Sequence, residues 1–182
     1  MLVMGDPVEA AAATRAVYRT KGTCYLRLGR GGEPLIHAGE IDFQVGKAIR
    51  LAEGTDVAIL TTGGILDVAR NARERLAVSD LSVGLYSVHT LKPIDRDLVV
   101  ELAGRVGLIV TLEEHTVIGG LGGAVAEIVA RLPNPKARLE IVGLDDCFSS
   151  IVGDQEYLRS VYGLTADAVV AKVEARLTAR RR

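Results

Sequence analysis

Val110-Thr111-Leu112-Glu113-Glu114-His115-Thr116-Val117-Ile118-Gly119-Gly120-Leu121-Gly122-Gly123-Ala124-Val125-Ala126-Glu127 reads as the end of a strand, a polar turn and the start of a helix. An apolar run stops at two acids and a histidine, a double glycine follows, and an amphipathic run begins. In a parallel α/β sheet such a turn falls at the carboxyl ends of the strands, where these folds place their sites. The turn is either a site or a structural corner.

The same alternation extends outward on both sides. Upstream, Val57 to Leu60 is a continuous apolar strand, and Thr61-Thr62-Gly63-Gly64 turns into a helix. That helix carries Leu66, Ala69, Ala72, Arg73 and Leu76 at the spacing of one face. Val83 to Val88 is the next strand and ends at His89-Thr90. Pro93 blocks a helix through Lys92, and Asp95 can cap the one that follows, with Leu98, Val99 and Leu102 on its inner face. Gly107 to Leu112 leads into the opening stretch. Beyond it, Leu121, Val125, Ile128 and Val129 mark a helix, Pro133 and Pro135 terminate it, and Leu139 to Leu144 is the last strand. Two helices close the chain, one from about Asp154 to Tyr162 and one capped by Thr165. A short strand at Lys47 to Leu51 precedes the set. Strands and helices alternating in this way imply right-handed crossovers and a three-layer α/β/α sandwich. Arg176 and Arg180 to Arg182 give the last helix a basic C-terminal end.

The first forty residues form a smaller strand-helix-strand unit. Leu2 to Met4 is a strand end, and Asp6-Pro7-Val8-Glu9 has the grammar of a helix start. Asp6 serves as N-cap, Pro7 sits at the first helical position, and Glu9 completes a capping box. Thr23 to Leu28 reads as a buried strand, and Ile36 to Gln44 as a linker. So small a unit buries too little to stand alone. It is expected to dock on the rest of the protein or to be completed by another chain.

Composition limits the function classes. The chain has 182 residues and is 48% hydrophobic and 25% charged, which excludes a largely disordered protein. Aromatics make up only 4% and Trp is absent, so the core must be Val, Leu, Ile and Ala, as suits buried parallel strands. A net charge of -1 argues against a general nucleic-acid binder. Cys24 and Cys147 lack nearby cysteine partners and are expected to be reduced core or strand thiols. Met1-Leu2-Val3-Met4 does not read as a signal peptide, and no apolar run reaches the ~18–20 residues of a spanning helix. A cytoplasmic chain without membrane contact is expected.

Several residues could carry chemistry. The glycines from Gly119 to Gly123 sit where backbone amides can approach an anion, but a dinucleotide fingerprint starting at Gly120 fails at Val125. Glu113, Glu114 and His115 could be acid/base or metal-ligating residues, or anchors of the turn. His89 also follows a strand, which would bring it to the same crevice. Arg27 and Arg30 flank a strand end beside Gly29. Their guanidinium groups suit a phosphate or carboxylate, and ordinary surface arginines fit the pattern equally well.

Taken in order, Asp6-Pro7-Val8-Glu9, Tyr25-Leu26-Arg27-Leu28-Gly29-Arg30, His89-Thr90-Leu91-Lys92-Pro93-Ile94-Asp95, Glu113-Glu114-His115 with Gly119-Gly120-Leu121-Gly122, and Tyr162-Gly163-Leu164-Thr165 form a specific set. It resembles the carboxyl-terminal part of a transketolase, particularly the C-terminal section of the split, two-chain form. Deoxyxylulose-phosphate synthases and the beta subunits of 2-oxo-acid dehydrogenases are similar but more distant. The resemblance covers essentially the whole chain. Near Phe148-Ser149-Ser150-Ile151-Val152-Gly153 the sequence departs from the more glycine-rich loop of relatives.

This resemblance implies that residues 1–37 are the C-terminal remnant of a thiamine-diphosphate pyrimidine-binding domain. Residues 38–45 become a linker, and 46–182 a transketolase C-terminal domain. It implies a five-stranded, mostly parallel sheet whose first strand is antiparallel. It implies a part in thiamine-diphosphate-dependent transfer of a two-carbon ketol unit between sugar phosphates, in the pentose phosphate pathway. Cofactor and divalent metal would be held in the complete enzyme and not by this chain alone. An N-terminal transketolase chain or domains would be the partner, with a homodimer formed through the C-terminal domain. Arg30 matches the family's sugar-phosphate arginine, and no catalytic residue carries over. His89, Glu113, Glu114, His115, Gly119 and Gly120 remain candidates for a crevice or interface. The alternative is a free-standing α/β dimerisation or small-ligand module without enzymatic activity.

Overall fold

Apolar strands that alternate with one-faced helices have to be covered on both sides, and the computed structural model, which describes residues 1–178, does this with helices above and below one sheet. The expected Arg180 to Arg182 run lies outside the described residues. The elements are β1 (Leu2–Val3), α1 (Pro7–Arg19), β2 (Leu26–Arg27), β3 (Ile49–Ala52), β4 (Val57–Thr62), α2 (Leu66–Ala77), β5 (Val83–Ser87), α3 (Arg96–Arg105), β6 (Leu108–Thr116), α4 (Leu121–Val129), β7 (Arg138–Leu144), α5 (Gln155–Val161) and α6 (Ala166–Thr178).

The main sheet has five strands in the order β3-β5-β4-β6-β7. All neighbours are parallel except β3, which runs antiparallel to β5. The expected mixed sheet is therefore observed. Along β4, residues alternate between faces, as the strand period requires. Val57 and Ile59 join a cluster with Ala69, Leu76, Val169 and Val173 of α2 and α6. Ala58 and Leu60 join Val99 and Leu102 of α3 and Leu121 and Val125 of α4. Each fully buried Leu or Ile contributes roughly 1.5–3 kcal/mol, so these two layers hold the sandwich together.

Asp6, Asp95 and Thr165 cap the helices that the sequence assigns to them, each through a side-chain oxygen bonded to a backbone amide of the first turn. The Glu9 contact differs in detail. Its Oε2 accepts from the amide of Gly5 at 2.7 Å, one residue before the cap.

The N-terminal unit is a two-stranded parallel sheet, β1 beside β2, with α1. The buried strand expected over Thr23 to Leu28 shortens to Leu26–Arg27, because β1 offers only two residues to pair with, and the segment is exposed apart from a half-buried Leu26. This unit does dock on the rest of the chain. The amide of Val3 donates to the carbonyl of His89 at 2.8 Å, and that of Leu91 to Met1 at 3.0 Å. The segment from 28 to 48 has no helix or strand, yet Phe43 within it packs with Leu2, Met4 and Ala13. Cys24 and Cys147 are exposed, which corrects the expectation of core or strand thiols. Both fall outside helices and strands, between residues that are themselves exposed.

Candidate functional site

β6 continues past its apolar core into Glu113, Glu114 and His115. Glu113 is 1% exposed, and its carboxylate turns toward the start of α4. Its Oε2 accepts from the amide of Leu121 and its Oε1 from that of Gly122, both at 2.8 Å. The N-cap residue, Gly120, has no side chain to do this. A carboxylate placed on free amides at a helix N-terminus is favoured by both hydrogen bonding and the helix dipole. Glu113 thus occupies the place where a phosphate would sit on α4. A Cβ on Gly120 would overlap that carboxylate, and one on Gly122 would collide with Ile141, so both glycines serve close packing.

Glu114 points elsewhere. It accepts from Arg159 Nη2 at 2.7 Å and from Gln155 Nε2 at 3.0 Å. Arg159 also donates to the carbonyl of Gly64 at 2.9 Å, which ties α5 to the turn after β4. His115 is exposed, with Nδ1 3.1 Å from the carbonyl of Thr116.

A cleft of about 870 Å³ opens between this corner and the N-terminal unit, a size suited to a small ligand. It is lined by Arg27 and Arg30, by Lys92, and by Glu114, His115 and Gly119, among others. Arg27 and Arg30 are exposed and form no ion pair among the described residues. Of the candidates named from sequence, Arg30, Glu113, Glu114, His115, Gly119 and Gly120 all line this cleft.

His89 does not. It is fully buried beneath the N-terminal unit, its ring stacked on Phe43 with centroids 4.0 Å apart. Burial, reinforced by the nearby His37, lowers its pKa to about 4, so the imidazole is neutral at physiological pH. The expected proximity of His89 and His115 fails for a simple reason. The chain lays β1 across the end of β5, covering His89, and leaves the end of β6 open.

A second polar cluster has no counterpart in the sequence reading. Asp6 and Glu9 are buried, and the nearly buried His37 side chain lies between them. Its Nδ1 is 3.0 Å from Asp6 Oδ2 and its Nε2 is 3.7 Å from Glu9 Oε1. Burial alone would raise the pKa of Asp6, but hydrogen bonds from the amides of Glu9, His37 and Ile36, together with the adjacent His37 ring, hold it below the usual carboxylate range. Burial pushes the Glu9 carboxyl up. The sequence signal here was the acidic pair read only as helix capping.

The donor set does not fit a metal-bound diphosphate. Among the described residues no group of three or more His, Cys, Asp or Glu side chains is placed to hold a metal ion. The cleft's two strand-end carboxylates are also already engaged, by α4 and by Arg159. No described helix is long and apolar enough to cross a membrane.

Comparison with known proteins adds the following. Residues 46–169 match the profile of the transketolase C-terminal domain. The chain is 39% identical over 168 residues to the 6-deoxy-6-sulfo-D-fructose transketolase subunit SqwH of a Clostridium species, covering 91% of this chain and 51% of that protein. It is 33% identical over 138 residues to the 1-deoxy-D-xylulose-5-phosphate synthase of Desulforudis audaxviator, covering 76% of this chain and 22% of that one. A solved split-gene transketolase chain, described as an inactive beta4 tetramer, superposes with a TM-score of 0.89 at 37% identity. That alignment covers 97% of this chain and 57% of the other. The chain thus spans about half the length of SqwH and of the solved chain, and less of the synthase.

Proposed function

This chain belongs to the transketolase family through its C-terminal domain, and on that premise we propose that it is one chain of a split transketolase. It works with an N-terminal chain or domains that hold thiamine diphosphate and a divalent metal. Together they transfer a two-carbon ketol unit between sugar phosphates. Residues 1–37 contribute the end of the pyrimidine-binding domain, 38–45 link it, and 46–182 form the C-terminal domain through which the assembly dimerises. The cofactor chemistry resides with the partner. Arg30, exposed at the cleft, contributes a guanidinium that holds a sugar phosphate.

The observation that carries this reading is the close superposition, over nearly the whole chain, on a split-gene transketolase chain described as inactive. That the solved chain is inactive as a beta4 tetramer supports the view that the present chain has no activity by itself. The test is calorimetry with thiamine diphosphate and magnesium. The isolated chain is expected to give no binding heat, and the chain mixed with its co-purifying N-terminal partner is expected to bind and to transfer ketol units. Tight cofactor binding by the isolated chain would overturn the proposal. The cleft supports a second reading, a small-ligand module without enzymatic activity. That reading expects no partner chain in a pull-down from the native host.

A further inference from the structure

The loop that carries Arg30 has little to hold it. Among the described residues, 29–35 make no hydrogen bonds, and Gly31 and Gly32 adopt φ of 112° and 92°, a left-handed turn directly after Arg30. The Glu33 side chain folds over Gly29 and reaches Gly64, which is a contact through a flexible group. The backbone is fixed only where it enters and leaves. At entry, the carbonyl of Arg27 accepts from the amide of Met4 at 3.3 Å. At exit, Asp6 Oδ2 accepts from the amides of both Ile36 and His37 at 3.0 Å, and the His37 ring closes on the same oxygen at 3.0 Å.

The two oxygens of Asp6 therefore do different work. Oδ1 caps α1 through the amide of Glu9 at 2.8 Å, while Oδ2 clamps a segment about thirty residues away. An N-cap needs one oxygen, and a serine or threonine supplies it as well. A charged acceptor on two amides makes hydrogen bonds stronger than neutral ones. The clamp is held in place by burial, since Asp6 is 3% exposed and His37 is wedged between it and Glu9.

We infer that Asp6, braced by His37, is a positioning residue that sets where Arg30 presents its guanidinium at the cleft. This rests on the reading of Arg30 as a phosphate-holding residue. Asp6 touches no substrate; it acts through the backbone of the loop, and misplacement of such a group weakens the one interaction it makes.

Asp6→Ser separates the two roles, because it keeps the cap and removes the clamp. In the complex reconstituted with the N-terminal chain, Asp6→Ser should raise KM for a phosphorylated ketose about ten- to a hundredfold. It should leave KM for an unphosphorylated ketose, and kcat for both, near wild type. Arg30→Ala should show the same split more strongly. Equal effects of Asp6→Ser on both ketoses, or none, would overturn the inference even with Arg30→Ala behaving as expected. A wild-type complex without ketol transfer, or an Arg30→Ala effect equal on both ketoses, would instead remove the reading beneath it. A second measurement needs no partner. Amide exchange in folded Asp6→Ser, or in Asp6→Asn should the serine variant not fold, should speed up about tenfold or more at Ile36 and His37. Exchange in β4 and β6 should stay unchanged, and unaltered exchange at Ile36 and His37 would also overturn the inference.

Discussion

His89 is neutral in the fold because the N-terminal unit strips water from its ring, and that has a consequence in acid. Its pKa falls from the ordinary 6.5 to about 4. The unfolded chain therefore takes up a proton between those values that the native state refuses. Stability present above pH 6.5 is lost as pH falls toward 4, by up to roughly 3 kcal/mol from this group. His89→Leu should flatten the dependence of Tm on pH across that window, and thermal melts from pH 7 to pH 4 check it. An unchanged slope would show that other groups carry the acid sensitivity. At this scale the sequence was a partial guide. It named His89 and His115 as comparable strand-end residues, and only the path of β1 distinguishes a buried ring from an exposed one.

The strand-turn-helix corner shows how one element borrows from another. α4 starts with glycines, so it lacks a side-chain cap of its own, and the strand before it supplies Glu113 across the turn. Removing that carboxylate leaves the amides of Leu121 and Gly122 buried without a partner. Glu113→Ala should therefore destabilise the protein by about 2 kcal/mol or more, a fall in Tm of at least roughly 4 °C for a chain of this size. A thermal melt within a degree of wild type would refute the capping role and leave Glu113 free for chemistry. The alternation of apolar runs and the Asp6, Asp95 and Thr165 caps were legible beforehand because they depend on neighbours three or four residues away. The use of Glu113 was not, because a glutamate in a turn can serve a helix, a ligand or solvent with the same local pattern.

Across the whole molecule, the small N-terminal unit and the five-stranded sheet are joined at one seam. β1 bonds to β2 on one side and bridges to Thr90 on the other, and Phe43 stacks on His89. Neither the two-residue strands nor the small Leu2, Met4 and Ala13 cluster would hold the unit by themselves. The chain should accordingly unfold in one transition, and Phe43→Ala should weaken the seam by about 2 kcal/mol or more. In differential scanning calorimetry this appears as a lower Tm or as an early shoulder from the N-terminal unit. A wild-type trace with two separated peaks would show that the units are independent. The sequence by itself determined the layers, the strand and helix order, and the family, since all of these follow from local periodicity and an ordered set of motifs. The tertiary structure alone decided which strand ends are covered, that Glu113 serves a helix, and that Asp6 reaches Ile36 and His37. The covered strand ends and the Asp6 contacts depend on where the chain returns after thirty or more residues, and short-range spacing carries no record of that. The Glu113 contact spans only eight or nine residues, but its direction is set by how the turn packs α4 against β6.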